Sequence, residues 1–366
     1  MSLATLPVLC PQAFCDNNLP DYLRPSDVLA LAVHFVIGSF DNAIGRIEFM
    51  NVHIVTGGAG FIAVTLIGRL LDRGDRVLAV DDLSRGRREH LAAYEGRNGF
   101  GFAQVDCTDC DALVSATRAF GAADHVWHLA ANSDIPAGVA DAKVDLQQTF
   151  MTTFATLEAM RILAIPVMHF ASSSAIYGDL GDRRIAEDSG PISPISNYGA
   201  MKLASEAQIS AAVEAWLERA DIFRFPNVVG VPATHGVILD FVRKLKATPT
   251  VLPVLGDGTQ RKPYLHVSEL VDAMLYIAQT AQGRRNLFNI GPDDIGVTVR
   301  SIAEMVRDRV SPTAELEFGQ GNRGWVGDVP RFSYSIDQLA QLGWRPALDS
   351  AGAISRATDE IAHQEA

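Results

Sequence analysis

Two short stretches of the sequence place three serines, a tyrosine and a lysine in an order that could support proton transfer. The stretch FASSSAIYGD carries the serines at 172–174, and SNYGAMKLASE carries Tyr198 and Lys202. Residues four apart lie on one face of a helix, so Tyr198 and Lys202 should be neighbours. Such a pair is also common on solvated helix faces, and its meaning therefore depends on what surrounds it.

A glycine-rich turn upstream has the pattern of a dinucleotide-binding loop. TGGAGFIA follows an apolar run and opens a helical stretch, with Gly57 for the tight turn and Gly60 for close approach of a pyrophosphate. Ala63 takes the third position, which is often glycine, and it is small enough for close packing of helix and strand. The phosphates would lie at the helix N-terminus, where free N–H groups and the helix dipole favour anions.

An acidic residue at the end of the second apolar run favours NAD over NADP. Asp81 would accept hydrogen bonds from the ribose 2′-hydroxyl and would repel a 2′-phosphate. Three arginines that follow at 85, 87 and 88 argue in the other direction, and a helix cap or turn residue is the alternative for Asp81. We predict NAD as the cofactor.

A tyrosine becomes a useful base only when its pKa is lowered from about 10. A nearby lysine ammonium and a positively charged oxidised nicotinamide both favour the phenolate. Lowering the pKa by about three units needs roughly 4 kcal/mol, which two positive charges in a cleft can supply. Because a dinucleotide loop and a serine-rich segment accompany them, we interpret Tyr198 and Lys202 as an acid–base pair.

The elements that must position these groups alternate regularly after Met50. The short apolar runs are NVHIVT (51–56), RVLAVD (76–81), GFAQVD (101–106), DHVWHLA (124–130) and PVMHFAS (166–172). The predicted helices are Phe61–Arg73, Asp109–Phe120, Val144–Leu163 and Tyr198–Arg219. Strands buried on both faces that alternate with helices predict an α/β fold, a Rossmann-type doubly wound parallel sheet.

The chain divides into three regions. Residues 50–226 are predicted to form the NAD-binding Rossmann domain with the catalytic residues. Over residues 227–366 shorter elements with more glycine and proline predict a smaller C-terminal α+β lobe that binds the substrate. Residues 1–49 lack a clean period and the organisation of a signal peptide, and we expect an N-terminal extension outside the main fold. The alternatives are a cap or interface segment, or a targeting role.

Composition excludes several classes of protein. The chain has 366 residues, of which 48% are hydrophobic, and a net charge of −12. That charge argues against a nucleic-acid binder, and no apolar run is long enough to span a bilayer. Four cysteines in so long a chain do not form a disulfide framework, and Cys107 and Cys110 are two reduced thiols rather than a metal site. We expect a soluble, cytoplasmic protein without a metal.

Several motifs occur together in an order that resembles one known family, from about Asn51 to Pro346. They are TGGAGFIA, DDLSRGRREHL, HLAA, SSSAIYGD, YGAMK, RFPNVVG, GDGTQRKPYLHVSELVDAM, FNIG and GWVGDVPRFSYS. In these motifs the chain resembles the extended short-chain dehydrogenase/reductases, and more narrowly the NAD-dependent sugar-nucleotide epimerases and dehydratases. The resemblance implies a nucleotide-sugar substrate and a homodimer formed through two long helices.

The resemblance also implies a role for individual residues. Counting back from the IYG element places the catalytic serine at Ser173, which acts with Tyr198 and Lys202. The residues that it implies around the cofactor are Gly57, Gly60, Phe61, Ile62, Asp81, Asp106, Leu129, Ala130, Ala131, Tyr198 and Lys202. The residues that it implies around the substrate are Ser173, Asn227, Lys262 and Arg323.

The sequence departs from the family pattern at several positions. Lys262 stands where an arginine is usual, Thr149 where an asparagine is common and Pro226 where an aromatic residue is common. His266 could contact substrate, with a partly buried structural histidine as the alternative, and His128 is expected in the core. These departures concern the preference for nucleotide and sugar more than the chemistry.

The two residues that follow the catalytic serine indicate which member of the family this is. Dehydratases of the family carry an Asp-Glu pair there, whereas this chain has Ser174 and Ala175, which cannot act as a carboxylate acid or base. We therefore expect a UDP-glucose/UDP-galactose 4-epimerase type of enzyme that works through a transient 4-keto sugar. The alternatives are a nucleotide-sugar 4-ketoreductase, a 4,6-dehydratase or a non-enzymatic dinucleotide-sensing regulator.

Overall fold

A central parallel sheet organises the protein. The structure, a computed structural model, describes residues 50–366 except 182, 322–328 and 330. Seven strands lie in the order β3-β2-β1-β4-β5-β7-β12, and every neighbouring pair is parallel. They are β1 (Val52–Thr56), β2 (Arg76–Asp81), β3 (Phe100–Gln104), β4 (His125–His128), β5 (Val167–Ala171), β7 (Arg219–Arg224) and β12 (Arg285–Asn289). The prediction of a Rossmann-type doubly wound sheet is confirmed.

Helices cover both faces of this sheet, and further helices belong to the smaller region after residue 226. In chain order they are α1 (Phe61–Asp72), α2 (Cys110–Phe120), α3 (Ile135–Ala140), α4 (Ala142–Asp145), α5 (Thr152–Leu163), α6 (Asn197–Ala215), α7 (Val237–Ala247), α8 (Val267–Thr280), α9 (Val299–Val310), α10 (Asp337–Leu342) and α11 (Ser350–Gln364). On one face α1 and α8 bury their apolar residues against the sheet, and on the other face α2, α5 and α6 do so. All five residues of β1 are buried because both faces of the sheet are covered.

Two predicted helices differ from the structure at their ends. The helix predicted over Val144–Leu163 begins inside the short α4, continues as a π-helical turn over Leu146–Met151, and returns to α-helix in α5. The helix predicted to reach Arg219 ends at Ala215, and Arg219 already begins β7. No glycine or proline marks this end in the sequence; the helix ends where Trp216 takes a non-helical conformation and is followed by the buried Leu217.

The region after residue 226 forms a smaller α+β arrangement and also completes the main sheet. Its short strands are β8 (Asn227–Val229), β9 (Val251–Val254), β10 (Arg261–Lys262), β11 (Tyr264–His266), β13 (Val297–Thr298) and β14 (Glu315–Phe318). They form three pairs, β8 with β11, β9 with β14 and β10 with β13. Two further short strands, β6 (Arg184–Ile185) and β15 (Ser333–Tyr334), pair with each other. A separate apolar core joins α7, α9 and α11. The strand β12 pairs with β7, so the two regions meet within one sheet, and the boundary after residue 226 stays a prediction.

The expectation for residues 1–49 falls outside the described residues. Residues 50–366 group together as one compact unit. None of the helices in the described part of the chain is long and apolar enough to cross a membrane.

Candidate active site

A cavity of about 930 Å³ opens at the carboxyl ends of the central strands. Ligands of open α/β sheets bind at this edge. The cavity is lined by every predicted site residue that the structure describes, namely Gly57, Gly60, Phe61, Ile62, Asp81, Asp106, Leu129, Ala130, Ala131, Ser173, Tyr198, Lys202, Asn227 and Lys262. Arg323 lies outside the described residues.

The glycine loop after β1 has the shape that a dinucleotide pyrophosphate needs. Gly57 has a φ of +66°, and a Cβ there would lie 2.8 Å from the backbone nitrogen of Ala130. Gly60 is the N-cap of α1. Because glycine has no side chain, the first N–H groups of this helix have no side-chain cap. Free N–H groups at a helix N-terminus beside a cavity bind anions. These residues therefore fit a dinucleotide.

Asp81 both stabilises a turn and lines the cavity. Its carboxylate accepts hydrogen bonds from the backbone N–H of Ala59 at 3.0 Å and of Leu83 at 2.8 Å. Burial raises the pKa of Asp81, while these two hydrogen bonds oppose the rise. A carboxylate has about four acceptor sites, so capacity for ribose hydroxyls remains. Nearby, Arg88 is held by Glu95 at 2.8 Å, which directs that guanidinium to a carboxylate rather than to a phosphate.

The serine turn and the start of α6 lie very close together. Ser173 follows β5, and its hydroxyl accepts a hydrogen bond from the backbone N–H of Ala175 at 3.1 Å. Ser196 caps α6 by accepting from the N–H of Gly199 at 3.1 Å. A Cβ on Gly199 would lie 2.4 Å from the carbonyl oxygen of Ala175. Glycine at this position therefore lets the helix bring Tyr198 to the serine turn.

Lys202 is buried beneath the tyrosine. Its Nζ donates a hydrogen bond to the carbonyl oxygen of Ala171 at 2.6 Å. The same nitrogen lies 5.8 Å from the ring centre of Tyr198. Burial lowers the pKa of Lys202 to about 7, and the carboxylates of Glu206 and Asp145 oppose that shift. At neutral pH the amine is thus close to the midpoint of its titration.

The pKa of Tyr198 moves in the direction opposite to the one the sequence predicts for the working enzyme. Burial raises it to about 12, the hydrogen bond with Ser173 opposes the rise, and the charge of Asp145 adds to it. Lys202 does not offset this effect, because burial takes much of its own positive charge away near pH 7. Without a bound cation-bearing cofactor, Tyr198 therefore keeps its proton.

A buried ion pair that sequence reasoning missed supports the serine strand. Arg224 donates to both oxygens of Glu206, at 3.0 and 2.6 Å, and Glu206 also accepts a hydrogen bond from the hydroxyl of Ser172. Since Ser172 is occupied in this way, the arrangement agrees with Ser173 as the serine that faces Tyr198. The one available signal was spacing, because Glu206 follows Lys202 by four residues on the same helix face.

A second missed pair lies near Tyr198 and Lys202, which with Ser173 form the predicted catalytic triad. The side-chain amide of the fully buried Asn132 donates to Asp145 Oδ1 at 2.8 Å. The backbone N–H of Asn132 donates to the hydroxyl of Thr149 at 3.2 Å, which gives this departure from the family pattern a structural role. Asp145 immediately precedes the π-helical turn, and no sequence signal announces it.

Two histidines that the sequence singled out are structural. His266 is buried and lies 2.9 Å from Glu360, and it does not line the cavity. His128 is buried in the core, 2.7 Å from the hydroxyl of Thr56. Pro226, in contrast, lines the cavity next to Asn227.

The cysteine pair has no visible role in the chemistry. Cys107 and Cys110 are free thiols, and burial raises the pKa of Cys107 to about 12, which keeps that thiol protonated. Across the described ranges of the chain, no cluster of three or more His, Cys, Asp or Glu side chains could hold a metal ion.

Comparisons with known proteins point to one family. The model of the NAD dependent epimerase/dehydratase family matches residues 53–291. A UDP-glucose 4-epimerase of Mycolicibacterium smegmatis is 29% identical over 84% of this chain and 97% of its own length. A dTDP-glucose 4,6-dehydratase of Xanthomonas campestris pv. campestris is 28% identical over 81% of this chain and 89% of its own length. A crystal structure of a UDP-galactose 4-epimerase superposes with a TM-score of 0.75 and 32% identity, over 86% of this chain and 99% of that chain.

Proposed function

The chain belongs to the NAD-dependent epimerase/dehydratase family, and from this premise we propose that it is a nucleotide-sugar 4-epimerase of the UDP-glucose/UDP-galactose type. One observation carries the proposal. Ser173, Tyr198 and Lys202 line the same cavity as the dinucleotide loop, whereas Ser174 and Ala175, which follow Ser173, neither carry a carboxylate nor line that cavity. Such a site has what it needs to oxidise and re-reduce one carbinol.

Each of the three residues has a distinct task. Tyr198 removes the proton from the sugar hydroxyl and later returns it, because the phenolic oxygen is the only one of the three that can become a strong base beside the sugar. Ser173 hydrogen-bonds the same sugar oxygen and Tyr198. Lys202 lies behind the Tyr198 ring, where it would favour the phenolate whenever its own amine is protonated.

The cofactor would occupy the part of the cavity lined by Gly57, Gly60 and Asp81. When bound, NAD would accept a hydride from the sugar carbon and return it, and its positive ring would lower the pKa of Tyr198. The raised pKa of about 12 in the protein alone supports a base that ionises only in the loaded site. For the other half of the substrate, Asn227 and Lys262 line the cavity and would contact the nucleoside diphosphate.

The experiment uses UDP-glucose deuterated at C4 together with unlabelled NAD. We expect UDP-galactose that retains deuterium at C4, since an epimerase returns the same hydride to the opposite face of the keto sugar. A parallel panel of GDP-, dTDP- and CDP-sugars tests the nucleotide, and Tyr198→Phe is the inactive control. Accumulation of a 4-keto-6-deoxy sugar would instead identify a 4,6-dehydratase.

Two other outcomes would also overturn the proposal. A stoichiometric requirement for added NADH would identify a 4-ketoreductase. Binding of NAD without turnover of any nucleotide sugar in the panel would identify a dinucleotide-sensing regulator.

A further inference from the structure

The loops that follow β2 and β4 are bridged by one side chain. Arg85, in the loop after β2, donates from Nη1 to Asn132 Oδ1 at 3.3 Å and from Nη2 to Asp134 Oδ2 at 3.4 Å. In the sheet, β1 lies between β2 and β4. A side chain that connects the two outer loops therefore has to pass over the glycine loop after β1.

The two acceptors of this bridge are held rigidly. Asn132 is fully buried, and its amide group is fixed by Asp145 at 2.8 Å and by the backbone N–H of Asp134 at 2.9 Å. Asp134 is the N-cap of α3 and accepts the N–H of Ala137 through Oδ1, which leaves Oδ2 for Arg85. The acceptors are thus in place before any ligand binds.

Arg85 also lies near a residue from the later part of the chain. His235, just before α7, lines the same cavity as Arg85, Asn132 and Asp134. Desolvation is the main cause of the lowered pKa of His235, and the positive charge of Arg85 contributes to it. Arg85 therefore carries its charge within electrostatic reach of residues from both regions that line the cavity.

We propose that Arg85 is a strap that closes over the pyrophosphate of the bound dinucleotide and slows its release. The planar guanidinium carries five N–H donors, so it can hold Asn132 and Asp134 and still donate to a phosphate oxygen. The proposal rests on NAD occupying the cavity. It does not depend on the identity of the sugar or on the reaction.

The test measures release of NAD rather than turnover. Protein loaded with radiolabelled NAD is mixed with a large excess of unlabelled NAD, and the label that stays bound is followed with time. Arg85→Ala should release NAD about tenfold faster, the scale of one or two charge-assisted hydrogen bonds. Arg87→Ala, an exposed arginine two residues away, is the matched control and should release NAD at the wild-type rate.

Two further variants separate a strap from a simple positive charge. Arg85→Lys keeps the charge but cannot span two acceptors in a plane, so it should release NAD nearly as fast as Arg85→Ala. Asp134→Asn keeps the cap of α3 and weakens the bridge, so it should also speed release, and the double variant with Arg85→Ala should add little.

The opposite results would overturn the strap. One such result is an NAD release rate equal to the wild-type rate in Arg85→Ala or in Arg85→Lys. Another is slower release of NAD from Asp134→Asn, which is expected if only the charges act, because this variant removes a negative charge near the phosphates. Because no sugar is present in the assay, failure here leaves the proposed epimerase activity untouched, and failure of that activity leaves the strap untouched.

Discussion

At the scale of single residues, burial keeps Tyr198 protonated and removes charge from Lys202. Burial dominates the pKa values of both Tyr198 and Lys202, raising the first to about 12 and lowering the second to about 7. Both shifts remove charge from buried groups, which avoids the cost of burying an unpaired ion. We expect the Tyr198 phenolate to form when a bound cofactor supplies compensating positive charge.

Replacing the tyrosine should separate chemistry from cofactor binding. Tyr198→Phe removes the phenolic oxygen but keeps the ring, so we expect turnover to fall by several orders of magnitude while bound NAD stays near the wild-type level. Steady-state kinetics and the NAD content of the purified protein measure the two quantities. Turnover near the wild-type value would remove Tyr198 from the mechanism.

The buried lysine should leave a signature in the dependence of stability on pH. The folded state gives up the Lys202 proton near pH 7, whereas the unfolded chain keeps it up to about pH 10.5. Wild-type stability should therefore decrease as the pH falls from about 10 to 7, and this contribution should be constant below pH 7.

Lys202→Met removes that dependence. Its stability relative to the wild type should be up to about 4 kcal/mol more favourable at pH 7 than at pH 10. The lost hydrogen bond to Ala171 cancels in this comparison because it is absent at both pH values. Urea unfolding of cofactor-free protein measures the difference, and an equal difference at both pH values would contradict the lowered pKa.

The sequence predicted the residues that line the cavity better than the groups that control their pKa values. Local spacing placed Tyr198 and Lys202 together, and the serine turn and glycine loop arrived at the same cavity. Asp145, however, precedes Tyr198 by more than fifty positions and acts on it only through tertiary packing. No local pattern encodes such a neighbour.

At the scale of elements, a row of histidines crosses the strands at the end opposite the cavity. His53 on β1 stacks on His125 of β4, with ring centres 4.8 Å apart. His125 lies 3.1 Å from His169 on β5, which in turn lies 2.9 Å from Asp221 on β7. Arg219 also pairs with Asp221 at 3.0 Å. Four adjacent strands are thus joined by side chains as well as by backbone.

This row should make the fold sensitive to acid. Burial, together with the charges of neighbouring histidines, lowers the pKa of His125 to about 3. The pKa of His169 is also lowered, mainly by burial. Below about pH 6.5 the unfolded chain binds protons that the folded chain refuses, so stability should fall between pH 6.5 and 3. For His125 alone the loss at pH 4 is up to about 3 kcal/mol.

A single substitution tests the contribution of His125. In His125→Gln the free energy of unfolding should decrease less between pH 7 and pH 4 than in the wild type, as measured by urea titration at both values. His363→Gln, an exposed substitution near the end of α11, is the control. Parallel losses in His125→Gln and the wild type would exclude His125 from the effect.

Element types followed from the sequence, whereas several element ends did not. The alternation of apolar runs and helical stretches placed the first five strands within two residues of their observed bounds. The π-helical turn at Leu146–Met151 and the end of α6 at Ala215 were missed. Both depend on contacts with distant parts of the chain, which override local propensity.

At the scale of the whole molecule, one helical layer exposes apolar side chains. Leu146, Phe154 and Ile162, along the π-helical turn and α5, each expose about two-fifths of their surface. Apolar side chains exposed along one helical layer are what a surface for a second copy of the chain would present. We propose that this layer, with α6 beside it, is where two copies of the chain associate.

Association should be lost when charge enters this layer. We expect the wild-type protein to sediment as a homodimer and Phe154→Glu to sediment as a monomer with an unchanged circular dichroism spectrum, since Phe154 contributes little to the core. Sedimentation velocity measures the mass. A monomeric wild type, or a dimeric Phe154→Glu, would place the interface elsewhere or remove it.

Removing residues 1–49 should leave the protein folded. Residues 50–366 form a compact unit that begins with a complete first strand, so the truncated protein should melt within a few degrees of the full chain and retain bound NAD. Thermal melting and NAD content measure both. An insoluble product would make the extension part of the fold.

The pairing of β12 with β7 also has a consequence for the order in which the chain is made. Because β7 ends at Arg224 and its outer neighbour begins only at Arg285, a ribosome adds about sixty residues while the edge of β7 has no partner. During that interval the nascent sheet presents a row of open N–H and C=O groups, the feature by which strands recruit other chains. We therefore expect a truncated chain that ends before residue 285 to aggregate, even though it contains the entire glycine loop and all three residues of the triad.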